Sequence, residues 1–565
     1  MNVWSLAWRV SQHKRRVFWL GTAAFILFFS LPAAAGWVLS RAFAGLEAED
    51  TTQVVWLAGL LLVIEALRMA ALHWGAVWFT QSWEFMSSLL RGNMLTAQLA
   101  NGGDDAGRPV TSPGEALARF RDDTKDVVLF VDSWIDVAGG VVFTVIALSV
   151  LITVDPVATA VLVLPMALVA LATTALGGRL RLVHREDRAA TSEVTGLLGD
   201  VMSATTTIKV NRAESPVLER LRRSMDQRRD TAVRSRVYEL GIRSLSQSLA
   251  EIGLGLVILV AIGSLQRGDF GVAEIALYLS YGGWLGFLPR MLGMMLARSQ
   301  QAKVAFSEMS ALVADGDPAN TVVHRPFPFE QREPEPHLPD VPERLPLERL
   351  EVRSLSARYP TGGIDGVSFE LDRGSFTVIT GAIGAGKTTL LRALLGLAWP
   401  DEASGEVHWN GELIEDRAAF LIPPQTAYLS QVPQLVSDSL ADNILLGATE
   451  RERLSESLRL AAVDRDVEAM VDGVATRIGP RGLRLSGGQR QRVATARALA
   501  RQPELLVVDD VSSALDVETE LRLWDNLIKA GTTVLAVSHR RVALDRADQV
   551  LTLAAGRLVD RPGSP

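Results

Sequence analysis

Six apolar stretches lie in the first half of the chain, at roughly 17–40, 54–79, 133–154, 157–178, 248–266 and 272–296. Each is close to the ~20 residues that an α-helix needs to cross the hydrocarbon core of a bilayer. Such a series predicts a six-helix all-α transmembrane domain over residues 1–315. About 50 polar residues separate the second stretch from the third, and about 70 separate the fourth from the fifth. The longer excursion carries Arg179, Arg181, Arg185, Arg188, Lys209, Arg212, Arg222 and Arg223, whereas the opposite-side loops offer Arg41 and Arg267 beside Glu47, Glu49, Asp50 and Asp269. Positive charge collects on the cytosolic side. Both long excursions, the N-terminus and everything after the last span are therefore expected in the cytosol, with the spans in a plasma (inner) membrane.

The first residues place Val3, Trp4, Ala7, Trp8 and Val10 largely on one helical face ahead of Lys14-Arg15-Arg16. That pattern fits a short interfacial helix with its indole rings near the headgroups. The stretch lacks a small-residue cleavage site and is not read as a removed signal peptide. Within the spans, Glu65 and Arg68 stand one turn apart in mid-segment, where an ionisable residue is a functional candidate. They either line a translocation path or pair on one helix face. Asp132, Asp136, Glu251 and Arg290 lie nearer segment ends, and the Trp and Met residues are expected to face lipid or core.

Residues 316–346 are rich in Pro and charge, without a hydrophobic period, and read as an extended linker to a second domain over 347–565. The chain has no cysteine, which excludes disulfides, Cys metal sites and Cys nucleophiles. A net charge of −7 gives no global basic field, so no nucleic-acid partner is expected.

The second domain carries the chemistry. Gly381-Ala-Ile-Gly-Ala-Gly-Lys387-Thr388 fits G-x-x-x-x-G-K-[ST], after a strand-like Phe376–Thr380 and before a helical Thr388–Leu395. In that context the glycines let backbone N–H groups wrap phosphates, Lys387 reaches the β/γ oxygens and the Thr388 hydroxyl can ligate Mg²⁺. Gly381, Gly384, Gly386, Lys387, Thr388 and Thr389 are thus nucleotide-binding candidates. Further on, Ser486-Gly487-Gly488-Gln489 makes a small-residue turn that opens a helix, the form of an anion site. The apolar run Leu505–Val508 then reads as a buried parallel strand ending in Asp509 and Asp510, at the edge where α/β sheets bind ligands.

With the P-loop in place, LSGGQ at 485–489 resembles the signature of the ATP-binding cassette (ABC) family, and the likeness extends over nearly the whole chain. The resemblance implies an exporter-type transmembrane domain fused to an α/β P-loop ABC ATPase domain, with ATP and Mg²⁺ as ligands. It assigns Tyr359 to adenine stacking, Gln431 to Mg²⁺ or the attacking water, His539 to the γ-phosphate, Asp509 to Mg²⁺ beside Thr388, and Asp510 to the attacking water. Ser486, Gly487, Gly488, Gln489 and Asp516 join the nucleotide-binding candidates. Coupling helices that dock on an ATPase domain are implied near Ser112–Phe120 and Val201–Glu214.

Two departures matter. Pro480, in the loop Arg477–Gly482, stands where such exporters usually have a Glu, and Asp510 stands where the family has the glutamate that polarises water. The shorter carboxylate implies a slow site beside an intact signature. That combination resembles the degenerate half of a heterodimer, completed by a similar chain carrying Glu; a homodimer with Asp510 as base is the alternative. The activity implied is ATP-driven export of an amphipathic or lipophilic substrate. Import by the same architecture, an ATP-gated channel or sensor, and a soluble ABC ATPase are the rivals; six spans argue against the last.

Overall fold

The computed structural model describes residues 2–100, 113–267, 271–313, 316–325, 343–360, 362–397, 402–447, 451–479, 482–511 and 515–559. They divide into two compact units, Met1–Gln98 with Thr111–Glu335, and Leu99–Val110 with Pro336–Pro565.

The first unit is helical. α1 (Val3–Ser11) is capped by Asn2 and buries Leu6, Ala7 and Val10, while Trp4 packs on Phe130 and Trp134 with ring centroids 4.8 and 5.8 Å away. Then come α2 (Arg15–Glu47), α3 (Thr51–Ala100), α4 (Pro113–Ala118), α5 (Thr124–Val154), α6 (Pro156–Ser203), α7 (Thr205–Val210), α8 (Glu214–Arg267), α9 (Val272–Leu285) and α10 (Phe287–Ser310). α3 has 50 residues and α8 has 54. At 1.5 Å per residue these helices run about 75–80 Å, far beyond a hydrocarbon layer of about 30 Å. Among the described residues, three helices are long and apolar enough to cross a membrane: Arg15–Glu47, Thr51–Leu99 and Ala116–Val154. The expected spans at 157–178 and 248–266 fall in α6 and α8, where many side chains lie outside the description.

The sixth expected span is divided in two. α9 stops at Leu285 and α10 begins at Phe287. Pro289 has no N–H to give the Leu285 carbonyl four residues back, so a continuous helix would lose a bond there. The expected extended linker also begins differently. Pro318–Val322 forms a 3-10 turn, and buried Asn93 donates its Nδ2 to the carbonyls of Thr321 (2.9 Å) and Val323 (2.8 Å). Residues 326–342 lie outside the description. Short helices occupy both places expected for coupling helices, α4 and α7.

The second unit is α/β. One antiparallel sheet has the order β2-β1-β4-β5, from β1 (Arg349–Tyr359), β2 (Gly362–Asp372), β4 (Glu402–Trp409) and β5 (Glu412–Leu413). The other, β10-β9-β3-β8-β7-β6, contains β3 (Phe376–Thr380), β6 (Thr426–Leu429), β7 (Leu505–Asp509), β8 (Thr533–Val537), β9 (Gln549–Ala554) and β10 (Arg557–Val559). Its strands run parallel except edge strand β10. β7 and β8 are buried along their whole length, because alternate residues enter two cores. Val378, Leu506, Val508, Val534 and Ala536 join one core, and Ile379, Leu505, Val507, Leu535 and Val537 the other. Covering both faces of a parallel sheet is what makes its strands read as unbroken apolar runs.

Candidate nucleotide site

Strand register assembles the site. Leu429 pairs with Val508, Asp509 with Val537, and Val537 with Ile379. The chain leaving β6, β7, β8 and β3 therefore delivers Gln431, Asp510, His539 and Gly381 to one carboxyl edge of the sheet, within two residues of that level. This is the edge where open α/β sheets take their ligands.

From β3 the chain turns into α11 (Lys387–Leu394) through Gly381, Gly384 and Gly386, with φ of 150°, 80° and 100°. A Cβ on Gly381 would run into the Leu553 carbonyl, and one on Gly386 would lie 3.0 Å from the Gly363 carbonyl oxygen. Glycine is the residue for such a loop, since it has no Cβ to clash. The first-turn N–H groups of α11, those of Lys387, Thr388 and Thr389, have no intrahelical acceptor and favour an anion. Lys387 Nζ donates to the carbonyls of Gly381 and Ala382, both at 2.9 Å, which holds the ammonium at the mouth of the loop. Tyr359 ends β1 opposite Gly362, in the hairpin whose Gly363 abuts Gly386.

Thr388 Oγ1 donates to Asp509 Oδ1 at 3.2 Å, and the Tyr428 hydroxyl stands 3.5 Å from Oδ2. Asp509 is only 2% exposed. Burial raises its pKa, opposed by the Thr388 hydrogen bond and the Arg392 charge. Asp510 follows at φ 49°, and Gln431 Nε2 donates to its Oδ2 at 3.4 Å. Burial raises this pKa too, against the pull of His539 first, then Gln431, Arg540 and Lys387. The structure thus gathers Lys387, Thr388, Asp509, Asp510, Gln431 and His539 around one locus. Thr388, Gln431 and Asp509 offer hard oxygens that suit Mg²⁺, which takes its remaining ligands from phosphate and water.

The signature turn has its own bonds. Ser486 caps the helix Gly487–Ala500 in a reciprocal capping box with Gln489 (3.2 and 3.0 Å). Gln489 Nε2 and Arg492 Nη2 donate to Asp466 at 2.9 and 2.7 Å. Gly487 lies exposed and Gly488 half-buried in the first turn. Asp516 caps the helix Val517–Lys529, accepting from Thr519 N (2.9 Å) and Oγ1 (2.8 Å), so its carboxylate is engaged locally. Pro480 lies outside the described residues. In the helical unit, Arg68 pairs with Glu65 at 3.1 Å, with its guanidinium over Phe28 and Trp284 at 4.9 and 5.1 Å. Sequence reasoning missed Tyr428, Arg392, Arg540 and Glu520. Of these only Arg540 carried a signal in the sequence, its place next to His539.

Residues 19–285 match the family profile for an ABC transporter transmembrane region, and residues 364–513 the profile for an ABC transporter. An ATP-dependent lipid A-core flippase of Burkholderia orbicola is 30% identical over 393 residues, covering 68% of this chain and 62% of that protein. A protein of the same description from Alkalilimnicola ehrlichii is 30% identical over 405 residues, 70% of this chain and 65% of that one. The chain thus spans less than two thirds of the length of these relatives. The solved structure of a bacterial Atm1-family ABC exporter with ATP bound shares the fold, with a TM-score of 0.73 at 21% identity over 97% of this chain and 94% of that one. On both profiles and the common fold, the chain belongs to the ABC transporter family, with an exporter-type transmembrane region fused to an ABC ATPase domain.

Proposed function

We propose that this chain is one half of an ATP-driven membrane exporter, and that its own hydrolytic site is slow. The P-loop would take ATP, with Tyr359 against the adenine and Lys387 on the β/γ oxygens, and Thr388, Asp509 and Gln431 would hold Mg²⁺. Bound Mg²⁺ supplies charge neutralisation on the transferring phosphoryl group. Asp510 polarises the attacking water and His539 contacts the γ-phosphate. Ser486–Gln489 and Asp516 serve the nucleotide held by a second, similar subunit. The chain sits in the plasma membrane with its N-terminus and ATPase domain cytosolic. An amphipathic or lipophilic cargo is supported by the mostly apolar spans and by relatives described as lipid A-core flippases.

One observation carries the slow-site reading: an aspartate at the water-polarising position of an otherwise complete site. Its carboxylate is one methylene short, and a misplacement on the order of 1 Å can cost about 100-fold in rate. A partner with Glu at this place would then do most of the hydrolysis. The second reading, a homodimer with Asp510 as a competent base, is favoured by Gln431, which already orients the Asp510 carboxylate at 3.4 Å. Mg²⁺-ATPase activity of the chain purified alone, beside Asp510→Glu and Lys387→Ala, separates them. A nearly silent wild type restored by Asp510→Glu supports the degenerate half. Brisk turnover that Lys387→Ala abolishes supports the homodimer.

A further inference from the structure

The loop that carries His539 is fastened to the chain beyond Asp510 by an ion pair, half-buried at Arg540 and fully buried at Glu520, outside all the motifs above. Arg540, next to His539, donates Nη1 to the Leu515 carbonyl oxygen at 2.8 Å and to Glu520 Oε2 at 2.9 Å. Glu520 lies in the first turn of the helix Val517–Lys529 and is 0% exposed. Its other oxygen accepts from Trp524 Nε1 at 3.3 Å. The Trp524 ring stacks on Phe376, the first residue of the strand that leads to the P-loop, with centroids 5.0 Å apart. Arg540 also bears electrostatically on Asp510.

A carboxylate wholly removed from water persists only where it is paired and hydrogen-bonded. Against an apolar side chain of similar size, a buried ion pair adds little net stability, so its best-attested use is to fix registry. Here the registry concerns two segments that both flank the hydrolytic carboxylate. The Leu515 carbonyl precedes Asp516, which caps the helix bearing Glu520. One guanidinium therefore ties the His539 loop to the start of that helix at two points.

We propose that Glu520 and Arg540 are positioning residues for nucleotide hydrolysis: their pair holds His539 and the Leu515–Asp516 turn in fixed register about Asp510. The proposal rests on the ATPase reading above. Both bonds leave one nitrogen, Nη1, whose two N–H directions are fixed by the guanidinium plane, whereas a lysine ammonium on a flexible stem fixes neither.

The test compares full-length wild type, Arg540→Lys, Glu520→Gln and Lys387→Ala, reconstituted in lipid. Three quantities are read: kcat and KM for ATP, melting temperature, and amide hydrogen exchange over residues 515–519 and 538–541. Arg540→Lys keeps the buried charge, so it carries the test if Glu520→Gln fails to fold. The expected result is a kcat lowered on the order of 10- to 100-fold with KM unchanged. Exchange in both segments should quicken while the melting temperature stays near that of the wild type. Wild-type kcat in the variants, unchanged exchange, or a kcat loss that tracks a falling melting temperature overturns the proposal. If the wild type is nearly silent, the same substitutions are read in the Asp510→Glu background. If that background too turns over ATP no faster than Lys387→Ala, the ATPase reading has failed instead, and the exchange of the two segments decides the pair on its own.

Discussion

Asp510 leaves β7 at φ 49°, a left-handed conformation that aspartate tolerates better than most L-residues. Its N–H still reaches the Val537 carbonyl at 3.2 Å, so β8 fixes where the carboxylate starts. Burial raises its pKa, and His539 is the largest opposing influence. A general base works ionised. As pH falls through a raised pKa, the proton blocks it earlier than in an ordinary aspartate of pKa about 4. The acid limb of the kcat–pH profile is therefore expected above that of an ordinary aspartate and absent from the residual rate of Asp510→Asn; an acid limb at or below the ordinary aspartate value contradicts a raised pKa. Gly386 sets a second limit at this scale. At φ 100°, with a carbonyl 3.0 Å from any Cβ, Gly386→Ala strains the loop that must wrap the phosphates. Strain of about 1–3 kcal/mol corresponds to a loss of about 5- to 150-fold in nucleotide affinity, which titration with a fluorescent ATP analogue would read.

Between elements, side chains decide what strings of residues leave open. Asn93, 2% exposed on α3, receives the chain beyond α10 through two hydrogen bonds to Thr321 and Val323. Asn93→Ala leaves two carbonyls without that donor, at a cost of about 1–3 kcal/mol each where they stay buried. Limited proteolysis should then cut within 316–325 faster than in the wild type. The contact also shows where sequence reading stops. The P-loop, the Asp509-Asp510 strand end and His539 are legible because each is local: a spacing, an apolar run, a strand followed by its polar exit. Asn93 with Thr321, Arg540 with Glu520 and Tyr428 with Asp509 join residues far apart in the chain, and no periodicity records such meetings. The break at Gly286 was legible in principle, since Pro289 removes a donor, but an apolar stretch at 272–296 hides a broken helix inside one span's length.

At the scale of the whole molecule, two motif sets on one chain imply two different nucleotides. In the proposed assembly, Lys387 and Asp510 act on the ATP held by this chain's P-loop, while Ser486 and its helix N-terminus act on the partner's. Ser486 is also a structural cap, bonded reciprocally with Gln489, and its loss costs about 1 kcal/mol of helix stability. That cost is small beside the loss of an anion-facing hydroxyl at a catalytic phosphate. The two readings of Asp510 then separate cleanly in the assembly purified from its native membrane through a tag on this chain. If a Glu-bearing partner performs most of the hydrolysis, Ser486→Ala should remove most of the ATPase activity and Lys387→Ala only a minor part, because the site Lys387 serves is the slow one. In a homodimer every site needs both residues from identical chains, so either substitution disables both sites and the two losses should be of similar size. A larger loss from Lys387→Ala than from Ser486→Ala fits neither the degenerate half nor two equivalent sites, and would place the working hydrolysis on this chain, with Asp510 as its base.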